Sequence, residues 1–235
     1  MSKSALAERV QVPVPQASAA ELLNKFAVYG RFYEKHIAQT PELLRDRLEI
    51  APAHWALDEV IHREPDLLVV MMNPGASRPL DALWDGGSRN GFVSAQPDRT
   101  QYQIMRLMLL AQGKGVQWQH ARILNLSDLR TPKSAVFIEK LQTYQSDDSH
   151  SLFSAARSQE CAKVFATKST PILHAWGLSA ALTAWALRAL QASEGHPQLG
   201  ITQDKVLFRH PLPQRFDLQQ QWLVDIGLQI DQFTG

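Results

Sequence analysis

Three polar side chains follow short apolar segments of the sequence. Asn73, Asn125 and His210 each lie at or just after the end of such a segment. A carboxamide offers one donor group and one acceptor, and an imidazole can donate or accept a hydrogen bond. If the apolar segments are parallel strands, their carboxyl ends meet at one edge of a sheet, where ligands commonly bind. The three residues are therefore candidates for one shared site.

Each of the three also has a purely structural explanation. An Asn before Pro-Gly commonly forms a turn, an Asn after a strand often caps a helix, and a His-Pro pair can begin a turn. Their joint occurrence at equivalent strand ends favours the functional interpretation over three separate turns.

The order of the elements predicts the fold class. Apolar runs that suit buried strands alternate with segments of helical periodicity, which is typical of a parallel sheet covered on both faces. We expect an α/β fold, a three-layer α/β/α sandwich with a central, mainly parallel four-stranded sheet. The predicted strands are residues 66–72, 121–124, 171–176 and 205–208, and the clearest helices are residues 99–112, 152–166, 179–192 and one around Trp222.

The first part of the chain predicts helices. Residues 19–36 carry apolar side chains at roughly helical spacing, and Pro41 and Pro52 can each open a further short helix. We expect residues 1–62 to form an N-terminal helical extension packed on an α/β domain of residues 63–235. The Gly-rich residues 76–98 predict a long loop, and loops of that length are usually functional or mobile.

Composition excludes several classes of protein. The chain has 235 residues, 45% of them hydrophobic, and a single cysteine, Cys161, so it has neither a disulfide framework nor a four-thiolate metal site. Histidine spacing gives no metal motif, so we expect no metal and no cofactor. No signal peptide or membrane span is evident, and we expect a cytoplasmic monomer without membrane contact. A net charge of +1 leaves a nucleic-acid partner open.

Four short motifs carry a resemblance to the uracil-DNA glycosylase superfamily. Met-Asn-Pro-Gly at residues 72–75 resembles the first motif of the mismatch-specific uracil and thymine glycosylases, and Ile-Leu-Asn at residues 123–125 resembles the strand whose Asn contacts the flipped base. Ala-Trp-Gly at residues 175–177 is similar to a short strand end before a helix in the same superfamily, and Arg-His-Pro-Leu-Pro at residues 209–213 resembles its second motif, His-Pro-Ser-Pro. The same ordered set resembles, more closely and over roughly residues 66–225, an uncharacterised family of bacterial and phage proteins that brings no established activity.

The resemblance implies roles for individual residues. In the glycosylases, the first motif holds the hydrolytic water and the His of the second motif contacts the base carbonyl, which implies catalytic roles for Asn73 and His210. The implied base-binding residues are Phe92, Asn125, Pro74 and Gly75, with Phe92 stacking on the base.

Basic residues of the flanking loops are candidates for contacts with a nucleic-acid backbone, with ordinary surface charge as the alternative. The candidates that we favour are Arg130, Lys133, Arg209 and Arg215, and the loops also contain Arg78, Arg89 and Arg99.

Three departures from the glycosylase pattern bear on activity. Leu212 stands where the second motif has a Ser that grips phosphate, Asn73 replaces the carboxylate of the most active uracil enzymes, and a lone Cys161 excludes the cluster-bearing branch. The expected function is excision of a damaged or modified base from DNA. A non-catalytic nucleobase- or nucleotide-binding domain and a hydrolase of free nucleosides are the alternatives.

Overall fold

The computed structural model describes residues 14–81 and 91–234. Arg89, one of the basic loop residues considered above, lies outside them. The strands are β1 (Phe26–Ile37), β2 (Thr40–Pro52), β3 (Leu67–Met71), β4 (Arg78–Pro79), β5 (Phe92–Gln96), β6 (Ala121–Asn125), β7 (Ile172–Ala175) and β8 (Gln198–Leu199). The α-helices are α1 (Ala19–Lys25), α2 (Leu57–His62), α3 (Arg99–Gly113), α4 (Ser134–Thr143), α5 (Ser158–Val164), α6 (Thr183–Ala192) and α7 (Phe216–Ile230).

The eight described strands form one mixed sheet in the order β4-β5-β1-β2-β6-β3-β7-β8. The half from β6 to β8 is parallel, and the half from β4 to β2, together with the β2–β6 junction, is antiparallel. The predicted α/β class is confirmed. The prediction of a four-stranded, mainly parallel sheet is wrong, because it accounts for only the parallel half.

The N-terminal segment is the largest correction. Within the described residues 14–62, only α1 and α2 are α-helical, and most of the segment between them is a long hairpin of β1 and β2 rather than a helical extension. The apolar side chains of residues 26–32 also alternate, so Phe26, Val28 and Phe32 bury one face of a strand as readily as one face of a helix. Tertiary pairing decides between the two periods.

The other correction concerns the fourth predicted strand at residues 205–208. Here Asp204 Oδ1 accepts hydrogen bonds from the backbone N–H groups of Val206 and Leu207, and Lys205 has a φ of +63°. This loop geometry removes those groups from a ladder, and Phe208 forms only isolated bridges. The edge beside β7 is filled instead by β8, which the sequence did not suggest.

Helices cover the sheet on both faces. One buried cluster joins the sheet to α1, α3 and α7 through Leu22, Ile104 and Trp222, among others. A second cluster joins the opposite face to α4 and α6 through Phe137 and Ala186. Within the described ranges, no helix has both the length and the apolar character needed to cross a bilayer.

Candidate functional site

Strand pairing brings two of the candidate residues to one edge of the sheet. Asn125 is the last residue of β6 and lies opposite Met71, the last residue of the parallel strand β3. The chain after β6 stays against the chain after β3, because Leu126 N–H donates to Met71 O at 2.8 Å and Ser127 N–H to Met72 O at 3.3 Å. Asn73 and Asn125 therefore leave neighbouring strands at the same end.

The third candidate reaches the same edge by a different route. Gly177, which follows β7, pairs with Phe208 through an isolated bridge, and its N–H donates to Phe208 O at 2.7 Å. His210 comes two residues later, in the segment that enters α7. The bridge thus places this segment beside the carboxyl end of β7.

Asn125 is buried with no hydrogen-bond partner. Asn125 is 1% exposed, and neither its Nδ2 nor its Oδ1 atom forms a hydrogen bond within the described residues. Ala121 and Ile123 belong to the cluster with α3 and α7, so strand alternation points Asn125 to that same face. Buried polar atoms without partners are rare in folded proteins, and each calls for an explanation such as a bound ligand or water.

Asn73 is held by its amide nitrogen. Nδ2 donates to the carbonyl oxygens of Leu129 at 3.3 Å and Thr131 at 2.9 Å, which uses both of its N–H groups. The side-chain orientation is therefore fixed, and Oδ1 is left as the atom that can accept a hydrogen bond from water or a ligand.

The turn after Asn73 is pressed against the start of α3. Pro74 is buried, and Gly75 has a φ of +67°, a conformation that side chains with a Cβ rarely adopt. A Cβ on Gly75 would lie 2.9 Å from Asp98 Oδ2. Asp98 caps α3 by accepting from the N–H groups of Thr100 and Gln101, so this carboxylate fixes both the helix and the approach of the turn.

His210 has a defined protonation state. Leu212 N–H donates to His210 Nδ1 at 3.1 Å, so Nδ1 acts as an acceptor. Burial lowers the pKa of His210, and the Asp98 charge opposes that shift without cancelling it. A neutral imidazole with an accepting Nδ1 carries its proton on Nε2. His210 is therefore a neutral Nε2–H donor at pH 7.

Arg45 is a site residue that sequence reasoning missed. It is 1% exposed, and its Nε and Nη1 atoms have no hydrogen-bond partner among the described residues. Burial lowers the pKa of Arg45 to about 10, with the Asp98 carboxylate the strongest opposing charge. The guanidinium remains charged at neutral pH, so a buried cation lies near the cap of α3.

A β-bulge aims Arg45 at this face. The register pairs Arg47 with Arg31 and Arg45 with Phe32, which leaves Asp46 as an extra residue in β2. Phe32 packs in the α3 cluster, and directly opposed residues point to the same side, so Arg45 shares the face of Asn125. Asp46 turns to the other side, where it pairs with Arg31 at 2.8 Å. No sequence signal marks the bulge.

Two cavities flank these residues. A cavity of about 420 Å³ is lined by His210, Arg209, Gly177 and Trp222, among others. A more polar cavity of about 610 Å³ is lined by Gly75, Asp98 and several arginines. Asn73 and Asn125 line neither cavity. A ligand therefore reaches both amides only if the chain segments that cover them move.

The structure separates Phe92 from the other candidates. Phe92 begins β5, four positions from β3 in the strand order, and the guanidinium carbons of Arg31 and Arg47 lie 5.6 and 5.1 Å from its ring centroid. The ring packs against two cations of the hairpin, and it is not beside Asn73.

The four candidate backbone contacts differ in their surroundings. Arg215 pairs with Asp217 at 3.0 and 2.5 Å, so its charge is balanced locally. Arg130 donates to Ser77 O at 2.5 Å and Ala76 O at 3.4 Å, which ties it to the turn after Asn73. Arg209 is exposed on the cavity of His210, and Lys133 is exposed where α4 begins. Arg130 and Arg209 are thus adjacent to the candidate site.

Buried charges also connect the hairpin to the parallel half of the sheet. Glu49 is fully buried and binds His120 Nε2 at 2.7 Å, Arg122 Nε at 2.9 Å and the guanidinium of Arg47. Burial alone would raise the pKa of Glu49, but these partners together lower it. The network satisfies the carboxylate internally, which favours a structural role.

A buried Ser–His pair does not form a hydrolase site. Ser127 Oγ lies 2.9 Å from His150 Nδ1, but both residues are fully buried, and burial lowers the pKa of His150 to about 4. Ser151, the neighbour of His150 in sequence, donates to Leu126 O. The described residues also contain no group of three or more His, Cys, Asp or Glu side chains placed to hold a metal ion.

The geometry thus gathers a neutral histidine donor, two amides and a buried arginine at the carboxyl edge of the parallel strands.

Comparison with protein-family models, with curated proteins and with solved structures gives no match for this chain.

Proposed function

We propose that the protein hydrolyses the N-glycosidic bond of a damaged or modified base in DNA. The observation that carries the proposal is the buried Asn125 amide, whose Nδ2 and Oδ1 both lack a partner within the described residues. A nucleobase edge presents an acceptor and a donor side by side, which matches the donor and the acceptor of one carboxamide. Base binding would thus satisfy both orphaned atoms at once.

The chemistry follows from the charges that develop during cleavage. As the bond between the sugar carbon and the base nitrogen breaks, its electron pair moves to the base and positive charge develops on the sugar. The Nε2–H group of His210 is suited to donate to a base oxygen and stabilise the leaving anion. The free Oδ1 of Asn73 is suited to orient a water whose oxygen adds to the sugar carbon, and the proton that this water loses is taken up by the departing base anion.

A base in a duplex would have to leave the stack to reach Asn125. Arg130 and Arg209, which border the site, are the favoured contacts with the DNA backbone. Stacking by Phe92 is not part of the proposal, because Arg31 and Arg47 already pack on that ring.

A non-catalytic domain that binds a nucleobase or nucleotide is the second candidate. One observation favours it. Asn73 carries an amide, which cannot accept a proton from water as a carboxylate can.

The test measures base release and base binding separately. Labelled single- and double-stranded oligonucleotides containing uracil, a thymine mismatch, hypoxanthine or bulky modified cytosines are incubated with the protein, and abasic sites are scored. The variants are Asn73→Ala and His210→Ala, and the matched controls are Asn24→Ala and His54→Ala, whose parent residues are exposed and distant in sequence.

Cleavage that falls on the order of 10²-fold in both site variants and persists in both controls supports the enzyme. Absence of cleavage on every substrate, with binding of free bases that Asn125→Leu abolishes, refutes catalysis and leaves the binding domain.

A further inference from the structure

We propose that the cavity between the Asn73 turn and the start of α3 binds a phosphate group of the substrate. We call it the arginine cavity and define it by Gly75, Arg78, Asp98, Arg99 and Arg130, which line its volume of about 610 Å³. The proposal rests on the proposed function for the identity of the substrate, but phosphate binding itself is testable without any cleavage.

The lining of the arginine cavity carries an excess of positive charge. Among the described residues of the lining, three guanidinium groups, those of Arg78, Arg99 and Arg130, face one carboxylate, that of Asp98. Arg78 donates to the neutral amide oxygen of Gln96 at 2.9 Å, and Arg130 donates to backbone carbonyls. These contacts orient the side chains and leave their charge uncancelled. Positive charges gathered in a concave surface attract an anion.

The one carboxylate is already engaged. Asp98 Oδ1 accepts from the N–H groups of Thr100 and Gln101 at 2.9 and 3.2 Å and caps α3. The carboxylate also lies close to the Gly75 backbone, which fixes it at the wall of the cavity. Asp98 thus serves the fold at this position, and an incoming anion would meet the arginines rather than replace a salt bridge.

Arg45 provides a second, independent observation. It is 1% exposed, and its Nε and Nη1 atoms lack acceptors within the described residues. Asp98 and Arg130, both of which line the cavity, are among the charges that act on its guanidinium. The backbone of Arg45 also lies beside the chain that carries Arg130, since Arg45 N–H donates to Asp128 O at 2.9 Å. An anion in the cavity would add negative charge to that of Asp98, Asp128 and Asp46, which already acts on this buried cation.

The donor set fits phosphate better than a carboxylate. Guanidinium groups donate in pairs to planar or tetrahedral oxyanions, and several arginines around one cavity match the several oxygens of a phosphate. Tyr102 adds a hydroxyl to the lining. Gly75 comes two residues after Asn73. A phosphate in the cavity would therefore lie near Asn73, whose Oδ1 we assign to the water that adds to the sugar carbon.

Such a phosphate has two possible sources, the backbone of a nucleic acid and a free nucleotide. Fluorescence anisotropy of a fluorescein-labelled single-stranded 15-mer DNA measures the first, and calorimetric titration with deoxyuridine 5′-monophosphate, deoxyuridine and inorganic phosphate measures the second. The test variant is Arg78→Gln/Arg99→Gln, since both parent side chains are exposed and their loss leaves the core intact. The matched control is Lys168→Gln/Arg188→Gln, which removes the same charge beside a different cavity.

We expect the test variant to bind its phosphate-bearing probe about tenfold more weakly, and the slope of log affinity against log salt to fall by about one for each lost contact. The control should bind like the parent protein. Oligonucleotide binding that shows this pattern identifies the nucleic-acid backbone as the source. Monophosphate binding that shows the pattern, and is tighter than nucleoside binding, identifies the free nucleotide.

Equal weakening in both double variants would show a non-specific charge effect and overturn the proposal. Failure of the parent protein to bind any phosphate-bearing probe would overturn it as well. If the protein binds phosphate through these arginines but cleaves no glycosidic bond, only the proposed enzymatic function is refuted. Failure of the phosphate-binding proposal is therefore distinguishable from failure of the proposed function. The single variant Arg99→Gln repeats the test without disturbing the Arg78–Gln96 contact.

Discussion

Replacing Asn125 with Leu should make the protein more stable and eliminate ligand binding. Leu has the same branched skeleton as Asn, so Asn125→Leu removes two buried polar atoms that lack partners among the described residues and leaves similar packing. Each unsatisfied buried group costs about 1–3 kcal/mol. Allowing for local relaxation, we expect a gain of about 2 kcal/mol in the free energy of unfolding.

The same substitution at Asn73 provides the matched contrast. Asn73→Leu loses two hydrogen bonds and leaves the carbonyl oxygens of Leu129 and Thr131 without those donors. We therefore expect a loss of about 2 kcal/mol. One residue type and one replacement should thus shift stability in opposite directions at two neighbouring strand ends.

Urea denaturation and thermal melting at pH 7 measure both variants. For a chain of this size, about 1 kcal/mol corresponds to a change of about 2–4 °C in Tm, so Asn125→Leu should melt about 4–8 °C higher than the parent. A lower Tm for Asn125→Leu would refute the reasoning, because it would mean that the amide is satisfied in the free protein. A higher Tm with undiminished base binding would remove Asn125 from the site.

Three further predictions concern other parts of the molecule. Glu49→Gln should destabilise the protein by about 3 kcal/mol in urea denaturation, because it leaves the guanidinium groups of Arg47 and Arg122 without their carboxylate; a change below about 1 kcal/mol would show that these groups find other partners. Gly75→Ala should lower stability by about 1–2 kcal/mol, since φ is +67° and the new Cβ meets Asp98, whereas Gly113→Ala, with no atom within 4 Å of its Cβ, should be neutral or slightly stabilising. Burial lowers the pKa of both His150 and His174 to about 4, so below pH 6.5 the unfolded chain takes up protons that the native state cannot, and these two histidines should lower stability from about pH 6.5 to about pH 4; burial raises the pKa of Asp128 to about 7, which opposes this fall. His174→Leu should flatten that pH dependence by about one proton, as stability measured across the pH range would show, and an unchanged slope would contradict the assignment.

Local sequence patterns predict β3, β6 and β7 of the parallel half. The apolar run before Asn73 is β3, the segment that ends at Asn125 is β6, α3 begins at its predicted position, and α7 contains Trp222 as predicted. In this half, burial on both faces gives continuous apolar strands, and the polar residues that end them lie at the edge where we propose the site. Asn125 and His210 could be selected as candidates from the sequence. The sequence could not predict that the Asn125 amide has no partner among the described residues or that His210 Nδ1 accepts from Leu212 N–H.

The antiparallel half could not be predicted in the same way. The hairpin turns at Ala38 and Gln39, whose φ angles are +47° and +71°, without the Asn-Gly or Asp-Gly pair that usually marks such a turn. The pairing of β2 with β6 joins segments more than seventy residues apart, and no local pattern encodes it. Arg45 reaches the site only because Asp46 bulges, which is a property of the pairing and not of the residues.

The position of β2 beside β6 also determines how the chain can be shortened. β6 is buried along its whole length and is bonded to β3 on one side and to β2 on the other. A truncated chain that began at residue 63 would keep Asn73, Asn125 and His210, yet it would expose β6 as a new sheet edge with unpaired N–H and C=O groups. Open apolar edges pair with other chains and drive aggregation. The hairpin thus covers the edge of β6 and prevents self-association through it. A truncated protein should precipitate rather than fold as an autonomous domain.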